Sequence, residues 1–370
     1  MASSRAAMVV AAYVLAAIVW TAPASLSPTD TLPDVGDPVH LAYVMAWDAH
    51  QLVRAPLSLF DSNSFYPYPS SLAFGDHLLP EALMAAPVNW LTGNAALASN
   101  LALIASLTLS AFTMFLFARR ITGLESAAFV AGFAYAFNSF TRTELLRIHV
   151  VNLQWWPLAF FFLDRFAREG GRRNAWGLAA SLSLAGLSGS YYLVYTALLA
   201  PLWFGIAYAA SGRRPSAGDL RALAPPALVC AIPILLLMLP YVRLMATLGF
   251  SKGLEPGADV LDYFRPVKFQ LLWGAFAAPG PAAHGRHFLG YLTALVALAG
   301  LRADTAAARL GRRLALVTAG VGFLFSLGAS ITFDGAELMP GPYRALYLLF
   351  PPARGMAGSS RFGVLVVVGV

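Results

Sequence analysis

A series of apolar runs, several of them close to the roughly 20 residues that cross a bilayer, is the feature that most constrains what this chain can fold into. Short arginine-rich connectors separate the runs. Hydrophobic residues make up 58% of the 370 and charged residues only 12%, against about 25% charged in typical globular domains. A single soluble core has no room for that proportion. The chain therefore reads as a polytopic, all-α integral membrane protein.

In order, the runs predict spans at about Ala6–Ser25, Ala95–Ala118, Ser126–Phe140 and Val150–Phe166. The run Trp176–Tyr208 is too long for one helix and divides near Gly186, Gly189 and Ser190. Further spans are expected at Leu223–Met245, Phe288–Leu301 and Leu314–Ile331, and a tenth starts at Phe362. Leu79–Leu91 is short, broken by Pro80 and Pro87, and carries Glu81. It reads as an interfacial or re-entrant helix, because irregular backbone at depth needs protein or water cover. The first outer loop with its interfacial helices thus occupies residues 26–93 of a single domain covering 1–370. The run after Arg361 is too short to cross, so the record is expected to be truncated or its last helix incomplete.

The loop charges fix an orientation. With Arg5 inside, the loops at 119–124, 164–174, 212–221 and 302–313 all fall inside and all are rich in Arg. The loops at 26–77, 141–149, 247–287 and 332–360 fall outside. That is the positive-inside pattern of a multi-pass plasma-membrane protein with a cytoplasmic N-terminus. The net charge of +7 therefore reads as topology, and nucleic acid is excluded as a partner. Ala22-Pro23-Ala24 after the first run resembles a signal-peptide cleavage site, but the many later spans favour an uncleaved helix. The one cysteine, Cys230, lies in an apolar run and forms no intramolecular disulfide.

The outer loops hold the residues that could carry chemistry. Asp30, Asp34, Asp37, Asp48, Asp61 and Asp76, one-third of the 18 acidic residues, fall between Leu26 and His77. Asp37, in Gly36-Asp37-Pro38, is placed at the outer headgroup level. It reads either as a loop Asp in a Gly-Pro turn, or as a general base or the ligand of a phosphate-holding divalent metal. Asp48 and His50 are two apart on a helix and do not share a face. Asp76-His77 precedes the re-entrant segment, and Glu81 in an apolar helix is a functional candidate by default. Phe65-Tyr66-Pro67-Tyr68-Pro69 forms a rigid aromatic turn, suited to sugar stacking or to a membrane interface.

The next outer loop places Arg142, Glu144, Arg147 and His149 ahead of Asn152 and Gln154. Outward arginines run against the topology rule and suit a phosphate; pairing of Glu144 with Arg147 at i,i+3 is the alternative. In the last loop, Arg354 and Arg361 flank a glycine-rich stretch, either a phosphate clamp or a mobile loop. No P-loop, zinc motif, Rossmann fingerprint or nucleophile elbow is present.

Taken together, Gly36-Asp37-Pro38, Phe65-Tyr66-Pro67, His77-Leu78-Leu79, Asn152-Leu153-Gln154-Trp155-Trp156-Pro157-Leu158 and Arg354 to Arg361-Phe362 resemble the GT-C superfamily of polytopic membrane glycosyltransferases. The similarity is to the bacterial aminoarabinose- and mannosyltransferase-like group, and extends to the YfhO-like membrane proteins. The resemblance implies transfer of a sugar from a polyprenyl-phosphate donor to a lipid, glycan or protein acceptor on the outer face of the inner membrane. It makes Asp37 the catalytic carboxylate, with Glu144 or Asp76 assisting. His77, Arg142, Arg147, His149, Gln154, Arg354 and Arg361 are then candidates for substrate and phosphate binding. Asp37 is followed by Pro38 rather than a second acid, and the second loop has no Asp-x-Asp. No metal ligand is therefore assigned and no cofactor is required, although a divalent metal remains compatible with the chemistry. The competing expectations are a transporter or flippase of a lipid-linked envelope precursor, and a non-catalytic envelope assembly protein.

Overall fold

A computed structural model describes residues 2–249, 253–254, 257–266, 273–277, 287–302, 305–350, 353–354, 356 and 358–369. The chain is predominantly helical and divides into two compact units. The first comprises residues 1–137, 144–196 and 214–250; the second comprises 138–143, 197–213 and 251–370.

The first unit begins with α1 (Ala2–Trp20), followed by α2 (Asp37–Arg54), α3 (Leu79–Thr92), α4 (Ala95–Thr122) and α5 (Glu125–Ala136). Helix α4 is the axis of this unit, with α1, α2, α3, α5 and a later helix packed around it. Asn94 caps its start by accepting from Leu97 N at 2.8 Å, satisfying one of the first-turn N–H groups. Tyr13, Leu107, Ala111 and Ala128, all fully buried, form the α1–α4–α5 seam. Gly132 makes that close approach possible, because a Cβ there would run into the Ala111 carbonyl and the Tyr13 hydroxyl.

One end of α4 is tied to the acidic loop: Asn100 Nδ2 donates to the Pro28 and Thr31 carbonyls at 2.9 and 2.7 Å. The other end carries Arg119 and Arg120. Arg120 pairs with Asp164 at 2.6 Å and with Glu169 at 3.0 Å, and Arg119 with Glu125 at 3.5 Å. The acidic loop and the arginine connectors are thus held at opposite ends of a 28-residue helix, roughly 42 Å at 1.5 Å per residue.

After α6 (Ser139–Thr143), which belongs to the second unit, the chain runs through α7 (Ile148–Val151), α8 (Trp155–Glu169), α9 (Arg172–Leu187), α10 (Ser190–Ser211) and α11 (Ala217–Leu248). The break between α9 and α10 falls at Ser188-Gly189, inside the stretch where the sequence predicts one. Boundaries elsewhere differ from expectation. Helix α5 stops at Ala136 after 12 residues, where Asn138 and Thr141 cap each other's backbone at 3.0–3.1 Å. The expected span from Val150 starts only at Trp155, because Asn152 and Leu153 spend their side-chain and backbone groups outside a helix. Three described helices are long and apolar enough to cross a membrane: α4, α10 and α11, with mean hydropathies of 2.1, 1.6 and 2.4.

In the second unit, α12 (Tyr291–Gly300), α13 (Ala306–Ser326), α14 (Tyr343–Leu349) and α15 (Val364–Gly369) accompany a hairpin of β1 (Ser330–Phe333) and β2 (Ala336–Pro340). Among the described residues this short hairpin is the one exception to the expected all-α fold. Its turn is Asp334-Gly335, both with positive φ (54° and 80°), the conformation that favours Asp-Gly in tight hairpins. Asp259 accepts from the Asp334 and Gly335 N–H groups at 3.2 and 2.9 Å. Much of the expected outer loop Thr247–His287, and part of the Gly355–Ser360 stretch, lie outside the described residues.

Candidate functional site

Helix α2 starts at Asp37, so this residue sits in a helical first turn rather than a free Gly-Pro turn. Pro38 fits there because the first-turn N–H groups have no intrahelical partner. A carboxylate at this end is favoured by the helix dipole. Asp37 Oδ2 lies 2.6 Å from Arg147 Nε, and the same guanidinium reaches Glu144 Oε2 through NH1 at 2.9 Å. One arginine therefore joins the start of α2 to the segment before α7, and the Glu144–Arg147 pairing considered from the sequence is present.

The two carboxylates differ in environment. The Asp37 side chain is 50% exposed and that of Glu144 only 7%. Removing the guanidinium strands a charge at Glu144, whereas Asp37 is hydrated by water. Arg147→Ala is accordingly expected to destabilise the unit by roughly 3 kcal/mol, the low end for breaking a buried pair. In a Glu144→Gln background the same change should cost much less. Thermal unfolding of the four proteins of this cycle measures the difference, and equal losses in both backgrounds would refute the assignment.

A second group surrounds the start of α3. Asp76 accepts from Ser190 Oγ at the head of α10, and its Oδ2 is 3.7 Å from His149 Nε2. His77 is buried, with Nε2 3.1 Å from the Gly186 carbonyl, so that nitrogen carries the hydrogen. Burial pushes its pKa down, while the bond to Gly186 O and the Asp76 charge pull it back up. The Tyr241 hydroxyl, which donates to Gly75 O at 2.9 Å, lies 3.3 Å from Nδ1. As placed, His77 braces the segment before α3 against α11.

The deepest group centres on Glu81, which is fully buried in α3. Asn152 Nδ2 donates to Glu81 Oε1 and to Ser188 Oγ at 3.0 Å; Trp155 Nε1 also donates to Ser188 Oγ at 3.0 Å. Burial pushes the Glu81 carboxyl up to about 8, and the neighbouring Asp48 adds to the shift against the pull of its own backbone and of Asn152 and Ser188. Asp48 is 4% exposed, and burial raises its carboxyl to about 7. Asp48, Asp76 and His77 line a cavity of about 10 Å³, covered by Val44, Phe60, Leu72 and Leu237. That is room for about one water.

The sequence candidates therefore fall into separate places. Asp37, Glu144 and Arg147 form one cluster; Asp76, His77 and His149 form another. Gln154 is buried, accepting from Ser110 Oγ at 3.3 Å. Arg142, Arg354 and Arg361 belong to the second unit, where Arg354 donates to the Tyr347 and Leu348 carbonyls at 3.2 and 3.1 Å. That is a helix C-terminal cap on α14.

Asp48, which the sequence separates from His50, is buried beside the cavity. The signal was its spacing: Leu41, Val44, Met45 and Asp48 recur at helical intervals on one face. Ser188, Ser190 and Tyr241 carried no such signal, because only the tertiary packing brings them in. Among the described residues no group of three or more His, Cys, Asp or Glu could hold a metal. Between Asp37 and Glu144 a guanidinium already occupies the place a divalent ion needs, so a metal does not fit there. No family model, curated protein or solved structure matches the chain.

Proposed function

We propose that the chain is an integral-membrane glycosyltransferase of the GT-C type, with about ten spans and a cytoplasmic N-terminus. It moves a sugar from a polyprenyl-phosphate donor to an acceptor hydroxyl at the outer face of a bacterial inner membrane. The observation that carries this reading is the Arg147 bridge, which brings the half-exposed Asp37 of the first outer loop to Glu144 of the second. The separation of acidic loop and arginine connectors along α4 supports the sidedness.

In this reading, the acceptor oxygen attacks the anomeric carbon as its proton passes to Asp37. The bond from that carbon to the phosphate oxygen breaks, and polyprenyl phosphate leaves as an anion. Arg147 engages Asp37 through Oδ2, so Oδ1 is the oxygen that takes the proton. Glu144 fixes the position of Arg147, and Asp76 orients the acceptor. Arg147, held in place by Glu144, lends positive charge to the leaving phosphate, where a preorganised cation acts most strongly on the developing charge.

The test is mass spectrometry of lipid-linked sugars and envelope glycans from cells with and without the protein. The expected result is a missing glycan modification together with an accumulated polyprenyl-phosphate sugar. Unchanged profiles in both pools would defeat the proposal. A second reading, a proton-coupled flippase of a lipid-linked precursor, is favoured by the buried carboxyls of Asp48 and Glu81. It predicts that the modified glycan is still made in detergent extracts supplied with donor and acceptor, where no membrane has to be crossed.

A further inference from the structure

Two acceptor atoms of the Glu81 group point at something the protein itself does not supply. Glu81 Oε2 and Asn152 Oδ1 are both buried without a hydrogen-bond partner, on side chains with no exposed surface. Asn152 already commits its amide hydrogens to Glu81 Oε1 and Ser188 Oγ. Leaving a buried carboxylate oxygen bare is costly, and the smallest species that relieves it is a proton.

The charges around the group favour the same species. Asp48 faces Glu81 from α2. Asp76 and His77 stand before α3, with His149 of α7 against Asp76. Tyr192 of α10 lies within electrostatic reach of Glu81 and Glu144, and Tyr241 of α11 within reach of Asp76 and Asp48. The charged residues of α4 are Arg119 and Arg120 at its far end, and those of α9 are Arg172 and Arg173 at its first turn. Among the described residues no arginine or lysine is therefore among the groups that act on Glu81, and carboxyls that act on one another resist ionising together.

We propose that Glu81, cradled by Asn152 and Ser188, is a buried proton-binding site that exchanges with solvent by way of Asp48 and the water-sized cavity beside Asp76 and His77. The site takes up and releases one proton reversibly near neutral pH. Asp48 is the group between the inner carboxyl and the cavity, and one water fits beside it. The inference is independent of the transferase reading, because it concerns protonation of the resting protein.

The experiment is infrared difference spectroscopy of the full chain in detergent, with pH steps and exchange into heavy water. The wild type should show the C=O stretch of a protonated carboxyl that is lost as pH passes about 8, with a second component lost near 7. Glu81→Gln should delete the first component and Asp48→Asn the second. Asp48→Asn should also slow the deuterium shift of the Glu81 band. Gln and Asn keep the shape of the neutral side chains, and circular dichroism confirms that each variant is folded. Absence of the band in the wild type, or its survival in folded Glu81→Gln, overturns the proposal. An unchanged exchange rate in Asp48→Asn overturns the route through Asp48.

Discussion

An Asp37→Asn variant will lose sugar transfer by about 10²- to 10⁴-fold, the range typical of removing a positioned general base, and will still fold. The two halves of this expectation come from the same geometry. Asp37 is half exposed and held by one ion pair to Arg147. An exposed pair of this kind contributes about 1 kcal/mol or less, and Asn is well tolerated at a helix start. The variant keeps the side-chain volume and loses only the ability to accept a proton. Transfer of labelled sugar from a polyprenyl-phosphate donor in proteoliposomes measures the first half, and thermal unfolding measures the second. Asp61→Asn is the control: this carboxylate belongs to the same loop but only accepts from Ser70 N at 2.8 Å, so transfer should be unchanged. Full activity in Asp37→Asn removes Asp37 from catalysis. Loss of activity together with unfolding makes it a structural residue instead.

What made Asp37 legible in the sequence was position, namely an acid just past the first apolar run and opposite the arginine loops. The long apolar helices were legible for the same kind of reason, since hydropathy is a sum over many residues and no single contact decides it. The division of 176–208 followed from small residues at 186–190. The hairpin at Ser330–Pro340 escaped notice because it is two short strands of mixed polarity. Its local signal, Asp334-Gly335, sits in the loop expected at 332–360.

The site was less legible than the fold. Arg147 was readable as a phosphate ligand or as the partner of Glu144, and both are local pairings. Its ion pair with Asp37, 110 positions away, depends on how α2 meets the segment before α7. The inner group shows the same limit. Glu81 announced itself by standing in an apolar helix, whereas Ser188 looks like an ordinary residue between two helices. Only packing reveals that its hydroxyl receives both Asn152 and Trp155.

Packing also determines how stability depends on pH, where Glu81 should dominate. Below its unfolded-state pKa of 4.5, Glu81 is neutral in both states. As pH rises, the unfolded chain gives up this proton first, while the folded chain keeps it until about 8. The stability associated with this group is thus fully present below 4.5, declines through the window up to about 8, and is then constant. Asp48 adds a parallel decline between 3.8 and about 7. At about 1.4 kcal/mol per pKa unit, each decline amounts to several kcal/mol. Glu81→Gln cannot ionise in either state, so its unfolding temperature should fall less steeply over this window and overtake the wild type at the alkaline end. Asp164 of α8, paired with Arg120 and Arg168 at 2.6 and 2.7 Å, sits by the far end of α4 and is unaffected by the change. Unfolding curves of the detergent-solubilised full chain at stepped pH decide the matter: parallel profiles for the wild type and Glu81→Gln would mean that Glu81 is ionised in the folded protein, and that the buried carboxyl holds no proton.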